Sequence, residues 1–255
     1  MMASEVAGCG AVMAGSLARD RSVGGRVELA NLPLVGIAVI LSIGVVVSLP
    51  SRDAEPPISG TGPVVTLPSP RTTGPLSLEE ALASRRSVRG FTGAELTSGE
   101  IGQLLWSAQG VTDAAGHRTA PSAGALYPLE LDVVTADGLA RYEPDGHRLA
   151  FRSLVDLRPA LRLAALDQAA VEEAPVVIVI SGVVERTAAR YGVERAERYV
   201  ALEAGHAAQN VLLEAVSLGL GAVPMGAFAD QAVRQVLDLP DGESPLYLIP
   251  VGRPR

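Results

Sequence analysis

The amino-acid sequence predicts an α+β domain, and three observations carry that expectation. Ala174–Ser181 (APVVIVIS) is a charge-free apolar run of strand length, the pattern of a central strand buried on both faces. Leu139–Tyr142 and His147–Phe151 flank Pro144-Asp-Gly146, which reads as a hairpin. Helical stretches interrupt such strands at irregular intervals, the longest running from about Glu197 to Leu218 before Gly219. That irregularity suits α+β rather than a regular βαβ alternation.

Each element has its own signal. Ser77-Leu-Glu-Glu80 is a capping box, so a short helix is expected over Leu78–Ser84. Thr97-Ser-Gly-Glu100 is a second box, followed by an apolar face of Ile101, Leu104, Leu105 and Ala108 and closed by Gly110. Trp106 lies off that stripe and either packs within the chain or meets a partner. Leu129–Thr135 alternates and predicts a strand. Leu154–Leu166, Val184–Tyr191 and Ala229–Leu237 read as helices, and Gly221–Met225 and Pro245–Val251 as strands.

The 255 residues do not all read as one body. Residues 1–31 are small, polar and charged, as in a disordered tail. Residues 32–50 carry no charge and are long enough for a single membrane span or uncleaved signal-anchor; the alternative is a buried helix or strand. Arginines before this run put the N-terminus on the cytoplasmic side and lean the domain outside. Residues 51–75, rich in Pro, Gly, Ser and Thr, read as a linker, leaving 76–255 as the folded domain.

Composition excludes several chemistries. The net charge of −7 argues against a nucleic-acid partner. All 21 basic residues are arginine, so Schiff-base chemistry and a P-loop lysine are absent. Cys9 is the only cysteine, and His117, His147 and His206 lack metal-ligand spacing. No Gly-x-Ser-x-Gly elbow appears. An organic cofactor fits this inventory better than a metal or a protein nucleophile.

Five stretches carry candidate chemistry. Arg118–Glu130 (RTAPSAGALYPLE) holds Ser122, Ala123, Gly124 and Ala125 between Pro121 and Pro128. It is either a tight structural turn or a backbone built for close approach to a flat ligand. Arg85, Arg86 and Arg89 crowd around Ser87, forming either a solvated helix end or an anion site. Glu203–Gly221 has a small-residue helical face, a helical Gly205 expected to have a packing reason, and Gln209-Asn210, which could be a buried polar pair. Gly221–Phe228 (GAVPMGAF) is a short strand that breaks into a Gly/Pro turn, and Pro245–Pro254 closes the chain.

In this order the motifs resemble the nitroreductase family of FMN flavoproteins, most closely its SagB/ThcOx-type, azoline dehydrogenase-like branch. The likeness spans about Leu76 to Pro254. It implies a central, mainly antiparallel sheet surrounded by helices, in an intertwined homodimer with FMN sites at the interface. It implies that Arg85, Arg86, Ser87 and Arg89 bind the FMN phosphate and ribityl chain, with Arg253 completing the phosphate site. Pro121, Ser122, Ala123, Gly124 and Leu126 would meet the flavin ring from the partner chain, and Pro224, Met225, Gly226 and Ala227 would reach it from the same chain. The implied activity is hydride transfer from NADH or NADPH through FMN to a small organic acceptor. The alternatives are a dehydrogenase acting on a modified peptide and a non-enzymatic anchored flavin-binding protein. The Lys-Tyr pair that some azoline dehydrogenases use has no lysine here. Tyr127 and His206 are possible proton donors or simple packing residues.

Overall fold

The charge-free run becomes the middle of the sheet. In the computed structural model, which describes residues 62–255, β5 (Val176–Val183) is buried along nearly its whole length. The strand begins two residues later than the sequence suggests. On one side it pairs with β2 (Leu129–Thr135), and on the other with β7 (Glu243–Gly252). The hairpin forms as expected, with β3 (Gly138–Glu143) and β4 (Arg148–Ser153) on β2's free edge.

Two short strands complete a seven-stranded sheet of order β1-β4-β3-β2-β5-β7-β6. They are β1 (Val64–Thr66) and β6 (Gly221–Ala222), and all named strand pairs are antiparallel. β1 lies within the expected linker. Order extends past it, because Arg71 and Gln103 exchange backbone–side-chain hydrogen bonds of 2.8 and 3.1 Å.

Strand alternation divides the core into two layers. Leu129, Leu131, Val133, Ile178, Ile180, Ile249 and Val251 face one cluster; Val134, Val177, Val179 and Leu248 face the other. The first layer is covered by α2 (Ser98–Gln109) and α6 (Val193–Ser217). On α6, Val200, Ala204, Ala207, Ala208, Val211 and Ala215 recur at helical spacing and are buried. Their small side chains let the helix lie close to the sheet. The second layer is covered by α3 (Arg158–Ala164), α4 (Ala170–Glu173) and α7 (Asp230–Val236).

The helix ends follow local chemistry. Ser77 and Thr97 complete capping boxes for α1 (Leu78–Ser84) and α2. Pro159 sits in the first turn of α3, so that helix starts later than Leu154. Gly192, at φ 79°, separates α5 (Val184–Tyr191) from α6. Among the described residues, the expected packing reason for Gly205 is missing: a Cβ there would meet nothing within 4 Å. Gln209 is exposed and Asn210 half-buried, so they are no buried pair.

The membrane-anchored localisation is corrected. Among the described residues no helix is long and apolar enough to cross a membrane. The longest, α6, carries Glu194, Arg195, Glu197, Arg198 and Glu203. The expected tail, the 32–50 run and most of the linker lie outside the described residues.

Where β2, β3 and β7 bring Asp132, Arg141 and Glu243 together, charge replaces apolar packing. Arg141 on β3 forks onto Asp132 of β2 at 2.8 and 2.7 Å and onto Glu243 of β7 at 2.8 Å. It also pairs with Glu130 at 3.1 Å. Asp132 is fully buried and Glu243 is 3% exposed. Burial works against the Arg141 cation, but Asp132 and Glu243 more than offset it and push its pKa up. Removing one partner of such a cluster strands the others without solvent. Arg141→Met is expected to cost about 3–5 kcal/mol in urea unfolding. Arg148→Ala, which breaks the exposed pair with Glu143, should cost less than about 1 kcal/mol in the same measurement.

Candidate functional site

α1 ends at Ser84, and the arginine segment leaves it as extended chain. Arg86 folds back: its Nη1 donates to the carbonyls of Ala83 at 3.0 Å and Arg85 at 2.7 Å, satisfying the helix end. Ser87 forms a parallel bridge with Ala222 of β6, and the Val88 N–H donates to the Ala222 carbonyl at 3.0 Å. Phe91 then bridges Pro254, and the Thr92 N–H donates to the Arg253 carbonyl at 3.0 Å. Ser87 and Arg89 are exposed and Arg85 is half-buried. Among the described residues, neither Arg85 nor Arg89 meets a carboxylate at ion-pair distance.

Two glycines make this approach possible. A Cβ at Gly221 would lie 2.7 Å from Val88 Cβ, and one at Gly252 would lie 2.7 Å from Pro175 and 3.0 Å from Phe91. Segment 87–91 therefore lies against the sheet edge only because those positions lack side chains.

Arg253 is placed differently from the other arginines. Its guanidinium donates to Glu100 at 3.0 and 3.3 Å. Partial burial pushes the Glu100 carboxyl up, but donors from Thr97 together with Arg253 hold it below its ordinary value. Arg253 is thus engaged in an ion pair that also ties β7's end to the start of α2.

The turn after β6 is pinned by β7. Val223 N–H donates to Pro250 at 3.2 Å, and Met225 and Leu248 exchange bonds of 2.8 and 3.0 Å. Met225 is buried, Pro224 half-buried, and Gly226 and Ala227 are exposed. Gln168 holds the Ala227 carbonyl at 2.8 Å. Among the described residues, the N–H groups of Gly226 and Ala227 meet no protein acceptor.

The small-residue loop contains a 3-10 turn, Ala123–Ala125, with Gly124 at φ 65°. Ala125 and Tyr127 also take positive φ, 53° and 46°, a conformation that persists only where surroundings fix it. Here the Ser122 hydroxyl accepts the Tyr127 N–H at 2.9 Å, and the Arg118 guanidinium sits 4.4 Å above the Tyr127 ring. Tyr127 is therefore a loop anchor. His206 is exposed on α6 and makes no side-chain contact to a catalytic partner among the described residues.

The structure brings together three of the five sequence motifs. The arginine segment, the 223–228 turn and the chain end converge on β7. The loop does not join them within one chain. Ser122 faces Glu203 in the first half of α6, whereas the arginine segment lies beside β6, beyond α6's C-terminus. Fourteen residues of helix, roughly 20 Å, separate Glu203 from Ser217.

Against known proteins, the Nitroreductase family pattern matches residues 82–253. The chain belongs to the nitroreductase family. A Methanocaldococcus jannaschii protein assigned to the nitroreductases is 45% identical over 184 residues, 70% of this chain and 91% of that one. The crystal structure of a Ralstonia eutropha protein assigned to the same group superposes with a TM-score of 0.69 at 32% identity, covering 75% of this chain and 90% of that one. The NADPH:FMN oxidoreductase of Vibrio harveyi, solved with NAD+, gives a TM-score of 0.53 at 25% identity and covers 69% and 68%. These matches bear out the nitroreductase-like α+β fold with a mainly antiparallel sheet.

Sequence reasoning passed over Glu203 and Gln109, which lie behind the loop. Glu203 stands four residues before Ala207 and eight before Val211, so its spacing alone puts it on the buried face.

The Gly221 contact gives a direct test. Gly221→Ala should lower stability by about 1–3 kcal/mol through overpacking against Val88. Trypsin should also cut faster at Arg86 and Arg89, because the segment would lift from the sheet edge.

Proposed function

We propose that the chain is an FMN-dependent oxidoreductase that takes hydride from NADH or NADPH and delivers it to a small organic acceptor. The observation that carries this reading is the convergence on β7 of a basic segment, a turn with exposed N–H groups and the chain end. The donor set suits FMN: uncompensated Arg85 and Arg89 for a phosphate, and the Gly226 and Ala227 N–H groups for a ring edge. The Vibrio harveyi relative is described as an NADPH:FMN oxidoreductase.

On this reading Arg85, Ser87 and Arg89 hold the phosphate. Arg86, turned onto α1's last carbonyls, serves it indirectly by fixing the segment. Arg253 joins only by leaving Glu100 or sharing it. Pro224, Met225, Gly226 and Ala227 line one side of the ring. FMN, when bound, supplies the hydride chemistry, so no protein acid or base is required for that step. His206 remains a candidate proton donor.

The flavin-facing loop, Pro121, Ser122, Ala123, Gly124 and Leu126, then comes from a second copy of the chain. Two observations favour this homodimer. The loop and the arginine segment are separated within one chain, and α6 leaves Leu202, 52% exposed, beside the unpacked Gly205, His206 and Gln209. α1 likewise exposes Leu78 and Leu82. The absent lysine removes the Lys-Tyr pair of peptide-type dehydrogenases, so the reading stops at the nitroreductase type.

The test is anaerobic addition of NADH or NADPH to the purified chain loaded with FMN. Bleaching of the visible flavin band is expected; an unchanged band with both nucleotides overturns the reading. Arg89→Ala should weaken FMN binding roughly ten- to a hundredfold, since a charge-assisted hydrogen bond contributes about 1.5–3 kcal/mol. Riboflavin, which lacks the phosphate, should bind the variant and the parent alike. Equal losses for both ligands would mean a folding defect instead.

A further inference from the structure

Behind the 118–127 loop lies a carboxylic acid that the flavin reading does not use. Glu203, on α6, is 3% exposed. Gln109 of α2, fully buried, donates from Nε2 to Glu203 Oε1 at 3.4 Å. The Gln109 amide oxygen in turn accepts Arg118 Nη1 at 3.2 Å. On the loop side, the Ser122 hydroxyl faces the Glu203 carboxyl as a further donor. The same hydroxyl oxygen accepts the Tyr127 N–H. Through Gln109 and Ser122, this carboxyl group thus links α2 and α6 to a loop with positive φ at Gly124, Ala125 and Tyr127.

The surroundings mix a neutral wall with one cation. Burial pushes the Glu203 carboxyl above its ordinary value, against the donors Ser122 and Gln109 and the charge of Arg118. α2 presents only the neutral Gln109. From the loop come Arg118 and, beneath it, Tyr127. α5 brings Arg190 and Tyr191 beside Gly124. The next turn of α6 carries His206, exposed to solvent.

The proton count gives Ser122 two arrangements. When Glu203 is ionised, the Ser122 O–H donates to the carboxylate while its oxygen accepts from Tyr127. When Glu203 is protonated, the new carboxyl O–H donates to the Ser122 oxygen, and the Ser122 proton is released to point away from α6. We propose that Glu203 is a positioning residue that, through Ser122, sets which hydrogen-bonding group the loop offers a bound flavin. This rests on the loop being flavin-facing, as argued above.

The chain contains its own reporter. Its single tryptophan, Trp106, donates from Nε1 to the Val111 carbonyl at 3.2 Å, and its own carbonyl accepts the Thr119 hydroxyl at 2.9 Å. Its emission therefore follows the segment that feeds the loop. In the full-length chain without FMN, Trp106 emission should titrate with a midpoint above the ordinary carboxylate range. Glu203→Gln keeps the shape and holds the group neutral, so the titration should vanish. If it persists in Glu203→Gln, it belongs to another group, and the proposal is overturned.

Stability supplies a second measurement with a fixed sign. A raised carboxyl pKa stabilises the fold below the unfolded value and loses that contribution as pH rises through the folded value. Glu203→Gln and the parent should therefore melt together near pH ~4, with the variant melting higher toward pH ~8. The reverse order overturns the proposal. With FMN bound, the flavin band should shift in step with Trp106 in the parent and stay fixed in Glu203→Gln and Ser122→Ala. A chain that takes up no FMN yet loses the Trp106 titration in Glu203→Gln refutes the flavin reading and upholds the loop coupling. A flavin-loaded chain with an unaltered titration in Glu203→Gln refutes the coupling alone.

Discussion

β7 is the strand on which the rest of the site is registered. One edge is taken by β5 along most of its length. The other accepts, in turn, Met225 opposite Leu248, then Val223 opposite Pro250, then Ala222 and Gly221 opposite Val251 and Gly252. Past the strand's end, Arg253, Pro254 and Arg255 take up Thr92, Phe91 and Gly90. Backbone pairing fixes register sharply, because a slip of one residue turns every side chain to the wrong face. Segments more than a hundred residues apart are thereby aligned without any side-chain recognition between them. The requirement falls on Gly221 and Gly252, where a Cβ would push Val88 or Phe91 away.

Around that ladder, rigidity is distributed unevenly. The Ala-rich face of α6 and the two apolar layers fix the sheet, while β2, β3 and β7 are also tied by the Arg141 cluster. The loop is held mainly by side chains: Ser122 to Tyr127, Arg118 above the Tyr127 ring and on Gln109, Arg186 on the Tyr127 carbonyl, Asn210 to Thr119 and Thr119 to Trp106. Positive φ at Ala125 and Tyr127 is the strain those bonds maintain. A segment maintained this way responds to a change in one hydrogen bond more readily than a strand does.

What the sequence made legible was local. Both capping boxes, α1, β2 and the Pro144-Asp-Gly146 hairpin follow from signals spanning a few residues, and each forms where those signals put it. What it hid was long-range. β1 is flanked by Pro63 and Pro68 and exists only because β4 offers a free edge. α4 is four residues long and has no periodicity to read. Within the arginine segment, three identical residue types separate into a helix-end role for Arg86 and guanidiniums at Arg85 and Arg89 that meet no carboxylate among the described residues, a distinction carried by backbone direction. Arg253 meets Glu100 across 153 residues, which no local pattern records. Glu203 shows its burial by spacing, but its partners lie on α2 and the loop.

The separation of loop and arginine segment along α6 bears on how the site is completed. A single chain presents one wall, with the arginine segment and the 223–228 turn, and further back along the same helix a backbone-rich loop with residues at positive φ. Gly205 lies between them on a face that also exposes Leu202, His206 and Gln209. Glycine inside a helix costs about 1 kcal/mol relative to alanine, and among the described residues nothing approaches Gly205 to account for it. A second α6 crossing at that point would account for the glycine, cover Leu202 and carry the partner's loop toward the first chain's arginines. The proposed homodimer therefore rests on the same helix that separates the two halves of the site. Glu203, buried beneath the loop, would then act on a cofactor held mainly by the other chain.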